Sequence, residues 1–122
     1  MPLTSGTHSG SITRVAAAAV TRGQLLKNDA GKVTPCTADT DIALFVALDG
    51  ADANANVPCG ALGGNPGTHL VLATDAIAIG DRIGVLGAAQ ATQAKAIVGR
   101  ALEAGAAGEL VEFDPCVCVL NP

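Results

Sequence analysis

VGRALEAGAAGELVEF, residues 98 to 113, admits two foldings. Ala94, Ile97, Val98, Ala101 and Leu102 recur at the spacing of an amphipathic helix, with Gly105 placed to end it. Against the helix stand Gly99 inside the segment and a ready partner, Leu110–Phe113, beyond the small residues Ala104 to Gly108. Two apolar runs joined by a glycine-bracketed turn make a hairpin, so the stretch reads as strand, turn, strand. On that reading the chain is all-β or mainly β, a small β-barrel or sandwich, with room for one short helix around Ala94–Glu103.

Slid back by 54 positions, the stretch meets a fainter copy of itself: Ala47-Leu48-Asp49 lies under Ala101-Leu102-Glu103, and Val57 under Val111. A shift of 57 lays Val20 to Gln24, VTRGQ, under Ile77 to Asp81, IAIGD. Two echoes in the same order suggest a doubled unit of roughly 50 residues. The glycine-rich stretch GALGGNPG, residues 60–67, is the natural seam.

The remaining elements follow from local chemistry. Asn28-Asp29-Ala30-Gly31 is a turn between Leu25-Leu26 and Lys32-Val33-Thr34, with Pro35 closing the second strand, and so predicts a hairpin. Ile12 to Thr21 is divided, because its alanines favour helix while Ile12, Val15 and Val20 favour strand. Ile42 to Leu48 is a continuous apolar run, the pattern of a strand buried on both faces. His69 to Ala73 reads as a strand, and Gly80-Asp81 as a turn between Ala76–Ile79 and Arg82–Leu86. Pro115 opens a last apolar strand, Cys116 to Leu120, expected in a sheet centre or at a subunit contact. Residues 1–11 are polar and read as an extended arm; residues 12–122 form the β-rich domain.

Composition narrows the function. The 122 residues contain no Trp or Tyr, two Phe and 15 Gly, so the core gains little per residue and other subunits are expected to complete it. The net charge is −4, and Arg14, Arg22, Lys27, Lys32, Arg82, Lys95 and Arg100 are spread singly. That layout argues against nucleic acid and against a charged membrane anchor. No run approaches the roughly 18 apolar residues of a membrane-spanning helix, and the N-terminus lacks signal-peptide features, which suggests synthesis in the cytoplasm of the producing cell.

Chemistry-bearing residues are thinly placed. Cys36, Cys59, Cys116 and Cys118 lack metal-site spacing and read as small buried hydrophobes. His8 and His69 are isolated. Asp49, Asp52, Asn54 and Asn56 hint at a calcium loop but lack its closing Glu, with Pro58 and Cys59 where the loop should continue. Glu103, Glu109, Glu112 and Asp114 read as the solvated face of the final hairpin. No nucleophile has a base at hand, so the chain is expected to be no enzyme and to carry no cofactor or metal.

Three pieces, GKVTP after the Asx turn, AIAIGDRI and above all ALEAGAAGELVEF, resemble the small capsid decoration, or cement, proteins of tailed bacteriophages. Arg100 departs from that pattern, where an apolar residue is usual, as do the four cysteines. The resemblance implies a virion protein, made in the host cytoplasm, that binds the outer surface of the capsid and reinforces the shell by bridging major capsid subunits. It further implies partners in the major capsid protein and in its own copies, as a dimer or trimer. Leu3, Thr4 and Ile12, together with Cys116, Val117, Cys118, Val119 and Leu120, are the expected contacts. Alternative readings are another virion β domain, minor-head or tail-associated, and a small ligand-binding β module.

Overall fold

The computed structural model describes residues 11–38, 40–62, 68–88 and 97–115. Nine strands lie in two antiparallel sheets, and there is no helix among the described residues. In chain order they are β1 (Ser11–Val15), β2 (Leu25–Asp29), β3 (Lys32–Pro35), β4 (Phe45–Ala47), β5 (Asn56–Ala61), β6 (His69–Leu72), β7 (Arg82–Gly84), β8 (Ile97–Ala101) and β9 (Leu110–Pro115). The first sheet runs β1-β5-β4-β2-β3 and the second β6-β9-β8-β7.

No barrel closes. The first sheet comes nearest, curling until the Ala17 N–H donates to the Val33 carbonyl at 2.7 Å beside an isolated parallel bridge, Ala16–Val33. Its concave side encloses a core of Ala16, Val20, Leu26, Val33, Ala47, Val57 and Cys59. A second core lies between the sheets. Leu25, Val46 and Leu62 enter it from the first sheet's side, against Val71, Ile83, Val98, Val111 and Phe113 of the second.

Both sheets follow one plan. Adding 57 to residues of β1 and β2 and 54 to those of β4 and β5 turns the pairs Ile12–Cys59, Leu25–Val46 and Ala47–Cys59 into His69–Phe113, Arg82–Arg100 and Ala101–Phe113, all of them observed pairs. The isolated bridge Val20–Ala51 has its counterpart in Ile77–Gly105. Even the turn caps agree: the Thr21 N–H donates to Gln24 Oε1 and the Ala78 N–H to Asp81 Oδ2, each at 2.8 Å. β3 has no counterpart strand among the described residues.

The hairpin at 25–35 forms with a tighter turn than the four residues expected. Asp29 pairs with Lys32, leaving Ala30 (φ 51°) and Gly31 (φ 87°) as the two turn residues. Two positive φ angles in a row match the right-handed twist of a hairpin. Three other expectations need correction. The helix considered around Ala94–Glu103 is replaced over Ile97–Ala101 by β8, hydrogen-bonded on both sides; residues 94–96 lie outside the described set. Strand pairing wins because Gly99 lets the β9 backbone and the Phe113 ring come close, a contact that no isolated helix could offer. Pro115 belongs to β9, opposite Gly99, and the strand expected over Cys116–Leu120 falls outside the described residues. Finally, only Phe45–Ala47 of the apolar run 42–48 is strand. Ile42 and Leu44 are 73% and 44% exposed, because the pairing of β4 with β2 stops at Phe45 while β2 runs on to Asp29 paired with β3 alone.

Candidate interaction surface

The two units meet along β6, which lies against the outer side of the first sheet. The Leu72 N–H donates to the Gly23 carbonyl at 2.8 Å. Val71 shares the inter-sheet core with Leu25 and Val46. The His69 ring lies against Gly60, where a side chain would meet it at 2.5 Å. His69 Nε2 is 3.3 Å from the Ala61 carbonyl oxygen, and the ring tilts 45° to Phe113 with centroids 6.3 Å apart. Here His69 is a packing residue at the junction.

Beside this contact Arg22, Ala47, Leu48, Thr68, His69, Leu70 and Glu112 line a cavity of about 220 Å³. Its polar groups are largely engaged. Thr68 Oγ1 donates to Glu112 Oε2 at 2.5 Å, and the Glu112 N–H donates to Glu103 Oε2 at 3.0 Å. Among the described residues, no group of three or more His, Cys, Asp or Glu is placed to hold a metal ion.

The described cysteines are thiols held quiet. Cys59 is buried and Cys36 half-buried, and both are free. Burial first, then the Asp41 carboxylate, pushes the Cys36 thiol up to about 11, against a smaller lowering by Lys27. Burial likewise raises Cys59. Thiols so raised are protonated at neutral pH and react slowly. Asp41 itself is held below the ordinary carboxylate value by the Ala38 and Thr37 N–H groups, then by Lys27 at 3.1 Å. This cluster ties the 36–41 loop to β2.

Of the contact residues expected from sequence, Leu3, Thr4, Cys116, Val117, Cys118, Val119 and Leu120 lie outside the described residues. Ile12 is half-buried on β1, opposite Cys59 and packed against the first core. What the sequence reading missed is a pair of cations. Arg82 and Arg100, scattered in the chain, stand directly opposite each other on β7 and β8. Their counterparts in the first sheet are the buried Leu25 and Val46. The shifts of 57 and 54, carried beyond the apolar echoes, were the signal that could have revealed them.

No family model matches the chain, and no curated protein matches it in sequence. Among solved structures, it is similar to the head fiber gp8.5 N base of bacteriophage phi29. The likeness has a TM-score of 0.68 at 21% identity and covers 92% of this chain and 98% of that one. At that identity the fold is what the two share.

Proposed function

We propose that this chain is a structural component of a phage virion, attached to the outside of the head through major capsid subunits and assembled from several copies. The observation that carries this reading is the fold shared with a head-fiber base over nearly the whole of both chains. The core supports it too. Its largest fully buried side chains are one Phe, Leu26, Ile83 and several Val, a light framework suited to gaining rigidity from its attachment. Repeating a modest contact over a symmetric shell multiplies its strength without a large single interface. The role is one of binding and scaffolding rather than catalysis.

Within that role, two mechanisms differ in their consequence. A reinforcing clamp bridges capsid subunits, as the resemblance to decoration proteins implies. A mounting base holds a projection instead, and the likeness to the N base of the phi29 head fiber favours it. Mixing the purified chain with bare heads separates them. Co-sedimentation with heads and a raised temperature of head disruption is the result expected of a clamp; co-sedimentation with no change in that temperature is expected of a base. No association with heads overturns both.

A further inference from the structure

The junction between the sheets shows how this framework receives a strand. β6 presents His69 to Gly60, Val71 to Leu25 and Val46, and a backbone N–H to the Gly23 carbonyl. Leu70 lines the same cavity as Arg22 and Leu48. The second sheet repeats the receiving surface position by position. Gly60 becomes Asp114, Leu25 and Val46 become Arg82 and Arg100, Gly23 becomes Gly80, and Arg22 and Leu48 become Ile79 and Leu102.

That repeated surface faces outward. Gly23 is buried, whereas Gly80 is exposed and a side chain there would meet nothing within 4 Å. Ile79 is 72% and Leu102 46% exposed. Arg100 and Asp114 are also exposed and Arg82 half-buried. Like charges directly opposite on neighbouring strands are unfavourable, yet Arg82 faces Arg100. Among the described residues the one ion pair is Lys27–Asp41; Asp114 stands opposite Arg100 in the register but forms no ion pair with it. Arg100 Nη1 donates to the Gly80 carbonyl at 3.1 Å, which leaves that oxygen a second lone pair.

We propose that the outer face of β7, β8 and β9 is a docking site for an extended segment of another protein, whose side chains run basic, apolar, acidic, apolar. The pattern follows from the junction. The residue at the His69 position meets Asp114, and the one at the Val71 position meets Arg82 and Arg100. Those at the Leu70 and Leu72 positions lie by Ile79, Leu102 and the Gly80 carbonyl. A second copy of this chain is the wrong occupant. Its counterpart of β6 is β1, where Arg14 holds the Val71 position, and a third guanidinium would be driven against the other two. This inference rests on the two registers and stands apart from the virion reading.

The test uses the full chain and a fluorescein-labelled peptide with Lys-Leu-Glu-Leu between neutral flanks, set against the charge-exchanged Glu-Leu-Lys-Leu. Fluorescence anisotropy is expected to show roughly tenfold or greater preference for the first, lost progressively with salt. The triple variant R82E/R100E/D114K is expected to melt with the parent, since these side chains are not in the core, and to invert the preference. If that variant melts early, R100E alone, at an exposed position, is expected to erase the preference. Equal binding of the two peptides, binding of neither, or a preference unmoved by R100E overturns the proposal. So does sedimentation showing that the parent self-associates and R100E does not, because the occupant is then a second copy.

Discussion

The first sheet buries Leu25 opposite Val46 beneath β6, while the second sheet turns Arg82 opposite Arg100 outward from matching positions. Backbone pairing is the same in both. What differs is which side chains can tolerate the surroundings, and the contrast separates what a strand register requires from what burial requires. A second contrast concerns bulk. Phe45 on β4 stands diagonal to Cys59 on β5, whereas Gly99 on β8 stands diagonal to Phe113 on β9. The aromatic has changed strands while the space between them is filled once in each sheet, as close packing demands. A third concerns one donor. Pro58 has no N–H to satisfy, and its counterpart Glu112 has one, which the Glu103 carboxylate accepts at 3.0 Å.

The most disruptive way to probe the comparison is to exchange the faces. Val46→Arg places an unpaired charge in the inter-sheet core and is expected to cost about 3–5 kcal/mol, whereas Arg100→Val is expected to change stability by about 0.5 kcal/mol or less. Urea unfolding of the two variants checks this, and equal costs would mean that the faces are equally buried. Next comes the aromatic. Phe113→Ala is expected to lose about 3–5 kcal/mol, far more than Cys59→Ala at the matching position, at about 1 kcal/mol.

Two matched turns give a smaller difference. Gly23 and Gly80 have φ of 87° and 85°, so alanine costs about 1–2 kcal/mol at either. At Gly23 the new methyl also meets the Leu110 side chain at 2.5 Å and the Leu72 backbone nitrogen at 2.8 Å. Gly23→Ala is therefore expected to lose a further 1–3 kcal/mol or so, with the larger drop in thermal midpoint. The smallest effect lies outside the repeated plan, in the 36–41 loop. Because the Asp41 carboxyl is lowered in the folded chain, its contribution is present above the ordinary value of 3.8 and is lost as pH falls through the lowered one. Asp41→Asn is expected to flatten that acid-side loss in urea midpoints measured between about pH 6 and pH 3.

Much of the strand layout was readable because local chemistry and register agreed. Asn28 to Gly31 names a turn, β9 alternates Val111 and Phe113 inward with Glu112 and Asp114 outward, and Gly80-Asp81 breaks the chain between two apolar runs. The run 42–48 misled because hydrophobicity alone does not report where a strand leaves its partner. The stripe from Ala94 to Leu102 kept a helix open beside the strand because helical spacing is cheap in an alanine-rich chain. The Arg82–Arg100 pair was invisible as a pair, since 18 positions separate residues that β-pairing sets face to face.

From the amino-acid string alone came the β class, the turn chemistry, the poverty of bulky side chains and the offsets at which apolar residues recur, all consequences of near-neighbour sterics and periodicity. Only the tertiary structure decided which face of each sheet is covered. Burial depends on what the rest of the chain brings over a surface, and the same backbone positions carry leucine and valine where β6 arrives and arginine where they face outward.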